Sequence, residues 1–170
     1  TNIGTLMIGL ALIQNLQSSL MYGARSNLDF SGGLKIERIR TRVIIIADLI
    51  HVISDSVIHS FATLVVLLYL GSSWWAVPIV PLIFIGNGLA WYSFGRILSP
   101  IVSRFRDFEK FVGYFGTMMF FMSPVLYPLS LTQGVHRTMS LYNPFSYFTE
   151  FSRAIAFGDD SYLLLLPSVG

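Results

Sequence analysis

Apolar residues run through this chain in long blocks, separated by short polar or basic stretches. A helix crossing a bilayer core of about 30 Å needs roughly 20 mainly apolar residues. Four blocks reach that length: Ile3 to Tyr22, Val43 to Leu70, Ala76 to Gly95 and Phe111 to Leu129. A fifth opens at Tyr162 with Leu163, Leu164, Leu165 and Leu166, and the sequence ends before it is complete. The first block turns polar in its second half (Gln14, Asn15, Gln17, Ser18, Ser19). The third carries Pro78 and Pro81 near its start, and the fourth is broken near its end by Pro124 and Pro128. This pattern predicts an all-α integral membrane protein, a polytopic bundle of transmembrane helices.

The stretch from Ser130 to Asp160 is more than a loop. Asn143-Pro144 is a helix start, with Asn as cap and Pro at the first helical position. Phe145, Phe148, Phe151 and Ile155 then recur at helical spacing, with Glu150 and Arg153 elsewhere on the helix and Gly158 to end it. The segment reads as a short amphipathic helix lying at the outer surface or dipping into it as a re-entrant element; an interfacial anchor accounts for the pattern equally well.

Composition agrees with a lipid environment. Of 170 residues 54% are hydrophobic and only 12% charged, with a mean hydropathy of +0.65. About 25% charged is usual for a soluble domain, so too few polar side chains exist to cover a water-facing surface. The net charge of +2, with no basic run, argues against a nucleic-acid partner. The absence of cysteine excludes disulfides and thiolate metal sites. The opening Thr1-Asn2-Ile3-Gly4, without initiator Met or basic leader, and the end at Pro167-Ser168-Val169-Gly170 predict a piece of a longer protein.

Charge sets a direction. Arg25, Lys35, Arg38, Arg40 and Arg42 lie between blocks one and two, and Arg96, Arg104, Arg106 and Lys110 between three and four. The remaining connections hold only Arg137 and Arg153. The nine-to-two asymmetry makes the basic connections cytoplasmic. Trp74 and Trp75 then fall at the outer interface, where indole rings settle.

Four ionisable residues in block two, Asp48, His51, Asp55 and His59, are spaced by three and four and share one helix face. Such groups are costly in a membrane helix and are functional candidates by default. From Asp48 to His59 is about 16 Å along the axis, so the four cannot converge on one ion, and no other block offers His, Asp or Glu. The seam is expected to face a neighbouring helix, a pore or a dimer partner, with Asp–His pairs satisfying each other; a proton or ion path is the rival. No HExxH, GxSxG or P-loop is present, so no catalytic residue, metal site or cofactor is predicted for the chain. His136, without a nearby carboxylate, reads as a surface residue. Aromatics make up 15% of the chain. Some of Tyr92, Phe94, Phe115, Phe120, Phe121 and Tyr127 could line a path for sugars, whose C–H faces stack on rings.

Three motifs in order carry a resemblance to a known family. They are Arg104-Phe105-Arg106-Asp107, Ser123-Pro124-Val125-Leu126-Tyr127-Pro128, and Leu141-Tyr142-Asn143-Pro144-Phe145 followed by Arg153. In order, spacing and topology they resemble the membrane subunits of ABC-2 type exporters, particularly those for O-antigen, galactan or teichoic acid. The earlier part, Gly4 to Leu70, fits more loosely, and Asn27 to Lys35, with Gly32-Gly33, departs from the usual apolar link.

The resemblance implies a single ABC-2 type transmembrane domain over residues 1–170. It would lie in the cytoplasmic (inner) membrane as a multi-pass permease surrounded by membrane lipid and working as a homodimer. A lipid-linked glycan would be the substrate, with ATP and magnesium held by a separate nucleotide-binding ATPase subunit. Arg104, Arg106 and Asp107 would face that ATPase or the lipid headgroup. Ser123, Pro124, Tyr127, Pro128, Asn143, Pro144 and Arg153 would form the outer gate and substrate path, the prolines freeing carbonyls to face a cavity. An ABC-2 permease for a small drug or lipid would share these motifs, and a secondary transporter or channel would instead work through Asp48, His51, Asp55 and His59.

Overall fold

A computed structural model describes residues 3–32, 41–71, 74–123, 125 and 133–157, with backbone alone at 28–32 and 41. These residues form six helices and no strand: α1 (Ile3–Gly32), α2 (Thr41–Tyr69), α3 (Ala76–Arg104), α4 (Phe108–Met122), α5 (Gly134–Tyr142) and α6 (Pro144–Phe157). The expected start of a fifth span at Tyr162 lies outside the described residues.

Three of these helices are long and apolar enough to cross a membrane, over Ile3–Asn27, Arg42–Tyr69 and Ala76–Arg104. At about 1.5 Å per residue each exceeds a 30 Å core, so their ends reach the headgroup region. The fourth expected span is shorter than its apolar block. α4 has 15 residues, starts at Phe108 and stops at Met122. Ser123 turns extended (φ −103°, ψ 151°) because the residue before a proline is pushed out of the helical region. The expected connection from Arg96 to Lys110 shrinks to residues 105–107, since α3 stays helical to Arg104. α1 likewise runs past Tyr22 to Gly32.

The bundle has its polar and apolar sides arranged for lipid. Ile50, Ile58, Phe61 and Val65 of α2 and Leu82 and Ile97 of α3 are more than half exposed. Polar groups are gathered inside, where α1 meets α2 and α3. Asn15 is fully buried; its Nδ2 donates to Ser56 Oγ (2.9 Å) and its Oδ1 accepts from Asn87 Nδ2 (2.9 Å). Asn87 Nδ2 also reaches the Leu12 carbonyl (3.1 Å). Asn15, with Ser18 donating to Asp55 of α2 (2.7 Å), thus makes part of the first block's polar half into interhelical hydrogen bonds, the usual glue of membrane bundles.

α1 and α3 touch backbone to backbone at Gly23 and Gly95. A Cβ on Gly23 would run into the Tyr92 carbonyl and lie 2.9 Å from the Arg96 nitrogen, and one on Gly95 would meet the Leu20 carbonyl and, at 2.9 Å, the Ala24 nitrogen. Only glycine at both positions permits that crossing. α1 lies at the centre of the fold and packs against α2, α3, α4 and α6.

Candidate functional site

The end of the bundle where α1 begins is organised by α6. Asn143 Oδ1 caps the helix by accepting from the Phe145 amide (3.0 Å), as the Asn-Pro start predicts. Its Nδ2 donates to Ser123 Oγ (2.7 Å), and Ser123 Oγ in turn donates to the Met119 carbonyl. The start of α6 is thereby fastened to the end of α4. Ser140 of α5 adds a bond to the Met122 carbonyl (3.3 Å) and one with His136 Nδ1 (3.3 Å), so His136 is engaged in the fold rather than a bare surface residue.

Further along α6 the helix packs on the bundle with a mixed face. Phe145 and Ala156 are buried, Phe148 and Ile155 pack partly buried against the core, and Phe151 is half exposed. The buried face also carries Ser146, Thr149, Glu150, Ser152 and Arg153, polar groups that the phenylalanine spacing does not announce.

Arg153 is the centre of that face. Its side chain is 1% exposed and that of Glu150 0%, with Nη1 to Oε1 at 2.8 Å. Nη2 donates to the Val125 carbonyl (2.7 Å) and the Thr5 carbonyl (3.2 Å), and Nε approaches the same Thr5 carbonyl at 3.4 Å. One planar guanidinium thus joins α6, the first turn of α1 and the residue after the Ser123-Pro124 break. Gly9 makes room for this: a Cβ there would lie 2.7 Å from the Val125 carbonyl and 3.2 Å from Arg153 Nη2. The Val125 carbonyl that the helix break releases faces an arginine. Of the expected gate residues, Ser123 and Asn143 are buried and hydrogen-bonded to each other, Arg153 is buried further along α6, Pro144 is exposed beside Asn143, and Pro124, Tyr127 and Pro128 lie outside the described residues. Glu150, Gly9 and Thr5 belong to the same site and were not marked by any motif; the Glu150–Arg153 spacing of three was the available signal.

The block-two seam is a second polar constellation with different partners from those expected. Asp48 Oδ2 accepts from the Tyr92 hydroxyl (3.1 Å) and lies 3.8 Å from Arg96 Nη1, both on α3. His51 stacks on Tyr22 of α1 (centroids 4.2 Å, 23°). Asp–His pairing holds only for Asp55 and His59 (3.7 Å), and Asp55 Oδ2 also accepts from Ser18 Oγ (2.7 Å). Among the described residues no three His, Asp or Glu side chains gather closely enough to hold a metal ion.

At the end of the bundle away from α6, Arg104, Arg106 and Asp107 are all exposed. Lys110 pairs with Asp107 at 3.2 Å, and Arg25 with Glu109 at 2.6 Å, joining the end of α1 to the start of α4. An apolar groove of about 380 Å³ opens between α3, α4 and α6, lined by Trp91, Phe94, Phe115, Met119, Pro144 and Phe148 among others.

A family model described as ABC-2 type transporter matches residues 5–157. No curated protein and no solved structure matches the chain. The match spans every helix described above, from the first turn of α1 that receives Arg153 to the last residue of α6. A helical bundle with apolar exposed surfaces, a fourth helix that stops at Met122 and a short helix docked on its end is thus the membrane-spanning permease part of an ATP-binding cassette transporter, and the chain belongs to the ABC-2 type transporter family.

Proposed function

We propose that this permease exports a lipid-linked polysaccharide across the cytoplasmic membrane. Two copies would form the channel, and a separate nucleotide-binding subunit would supply ATP hydrolysis with magnesium. The observation that carries the reading is the outer end of the molecule. There the Arg153 clamp holds α6 to α1, and Tyr142 (85%) of α5 with Phe151 (50%) and Tyr147 (47%) of α6 are exposed. Aromatic rings with hydroxyl edges at the exit suit a sugar chain, which offers C–H faces to stack and hydroxyls to bond. Arg104, Arg106 and Asp107 stand exposed at the opposite end, with the charge to meet an ATPase surface or the pyrophosphate of a lipid carrier.

A second reading has its own observation. The apolar groove beside Trp91, Phe94 and Phe115 has the size and lining to hold a small hydrophobic drug or a lipid tail. Removal of the permease from its native cell separates the two. Under the glycan reading, surface polysaccharide disappears and lipid-linked glycan accumulates on the cytoplasmic side. Unchanged surface polysaccharide with loss of efflux of a small amphiphile would replace it with the second.

A further inference from the structure

Where α5 meets the end of α4, sulfur is concentrated. The chain has six methionines, and three of them, Met118, Met122 and Met139, line one cavity of about 630 Å³ together with His136. Met118 and Met122 are four apart on α4, and His136 and Met139 are three apart on α5, so each pair stands on one face of its helix. Two helices thus offer two donors each to a shared space. Side chains paired at this spacing on facing helices are how bundles build metal sites.

A shared hydroxyl brings the pairs together. Ser140 Oγ lies 3.3 Å from the Met122 carbonyl and 3.3 Å from His136 Nδ1. The last residue of α4 and the imidazole of α5 are therefore held within two hydrogen-bond lengths of each other. Met122 and His136 are half-buried, whereas Met118 and Met139 are exposed at the mouth of the cavity. A ligating histidine is ordinarily oriented by a partner on its second ring nitrogen. With Nδ1 engaged by Ser140, the ligand atom is Nε2.

Packing alone accounts for part of this. Methionine fills irregular gaps, and its sulfur is favourable beside rings such as Tyr114 and Phe121, which line the same cavity. It does not account for an imidazole in an otherwise apolar lining, fixed by its own hydroxyl. The donor set then selects the ion. Thioethers are soft and uncharged, and among the described residues no carboxylate lines the cavity. Hard divalent ions prefer oxygen and would find no charge compensation here. A soft ion of single charge fits these donors and asks least of them.

We infer that Met118, Met122, His136 and Met139 form a binding site for Cu(I) at the junction of α4 and α5. The ion links by side chains two helices that Ser140 already joins by a hydrogen bond. The site is separate from the Arg153 clamp and from the α2 seam, and it holds whichever molecule the permease moves.

The test uses the full transporter, purified with its ATPase and loaded with Cu(I) under anaerobic reducing conditions. After desalting, the parent should retain one more Cu(I) per permease chain than the Met118→Leu, Met122→Leu, Met139→Leu triple variant. Leucine is close to methionine in volume, so the junction stays packed. His136→Gln, which leaves every methionine in place, should weaken binding at least about 10-fold, the cost of losing even an outer partner of a metal ligand. Met7→Leu with Met21→Leu, on α1, should bind as the parent does. X-ray absorption at the copper edge should show sulfur neighbours in the parent that the triple variant lacks. Equal Cu(I) retention by the parent and both cavity variants would overturn the inference. So would an equal loss in the α1 control, or Zn(II) held more tightly than Cu(I) by the same residues.

Discussion

Two sets of charged side chains in the bundle are managed in opposite ways. On α6, Arg153 and Glu150 are sealed from solvent, and the guanidinium uses its remaining donors on backbone carbonyls of two other segments. On α2, Asp55 and His59 are each more than a quarter exposed, and Asp55 accepts from the Ser18 side chain. The first arrangement ties chain segments together. The second joins one side chain of α1 to a pair whose outer edge is exposed. Burial, more than the number of charges, therefore decides which cluster carries the fold.

The largest effect should come from cutting the sealed pair. Arg153→Met leaves Glu150 buried without its guanidinium and removes the donors reaching the Val125 and Thr5 carbonyls, a loss of about 3–5 kcal/mol. Arg153→Lys should recover only part of it, since one ammonium cannot span both carbonyls in the planar geometry of a guanidinium. Thermal unfolding in detergent, followed for both variants beside the parent, checks this. A Met variant as stable as the parent would mean that the α6 clamp is incidental and the comparison between the clusters is empty.

How much of this contrast was legible beforehand depends on the residue. The long apolar blocks gave α1 to α3, and Asn143-Pro144 gave the start of α6, because bilayer thickness and capping chemistry act locally. The stop at Ser123 was also readable, from the proline that follows. The polar part of the buried face of α6 was not. Its phenylalanine spacing is that of an amphipathic helix, and periodicity alone does not announce the polar groups buried beside the rings. The partner of Asp48 was missed for a related reason. Arg96 reads as a loop residue by charge, whereas α3 continues past it and brings it to Asp48 at 3.8 Å. Such pairings depend on how α1, α2 and α3 cross, which the glycine contact at Gly23 and Gly95 fixes and no spacing rule encodes.

A smaller perturbation probes the space the clamp needs. In Gly9→Ala the new Cβ would stand 2.7 Å from the Val125 carbonyl and 3.0 Å from Val125 Cγ1, forcing that residue away from Arg153. Overpacking of this kind costs about 1–3 kcal/mol. The better helix propensity of alanine returns up to about 1 kcal/mol, so a net loss of about 1 kcal/mol is expected. Gly113→Ala in α4, where a Cβ meets nothing within 4 Å, is the matched control and should be neutral or slightly stabilising. Equal stability of the two variants would show that the approach of Val125 to α1 is not constrained at Gly9.

The smallest effect is expected at the exposed pair. Replacing Asp55 with Asn and His59 with Gln removes the charges while keeping shape and hydrogen-bonding capacity, and Ser18 can still donate to the Asn oxygen. For a pair this exposed the coupling between the two should be about 0.2–1 kcal/mol in a double-mutant cycle. Export should remain largely intact, because both substitutions keep polarity and hydrogen-bonding capacity at this point. If the double variant folds and binds its ATPase normally but exports nothing, the pair acts directly in transport and the seam belongs with the working residues of a translocation step. If it instead loses as much stability as Arg153→Met, the pair carries the fold as the clamp does, and the distinction between a sealed clamp and an exposed pair fails at its second term.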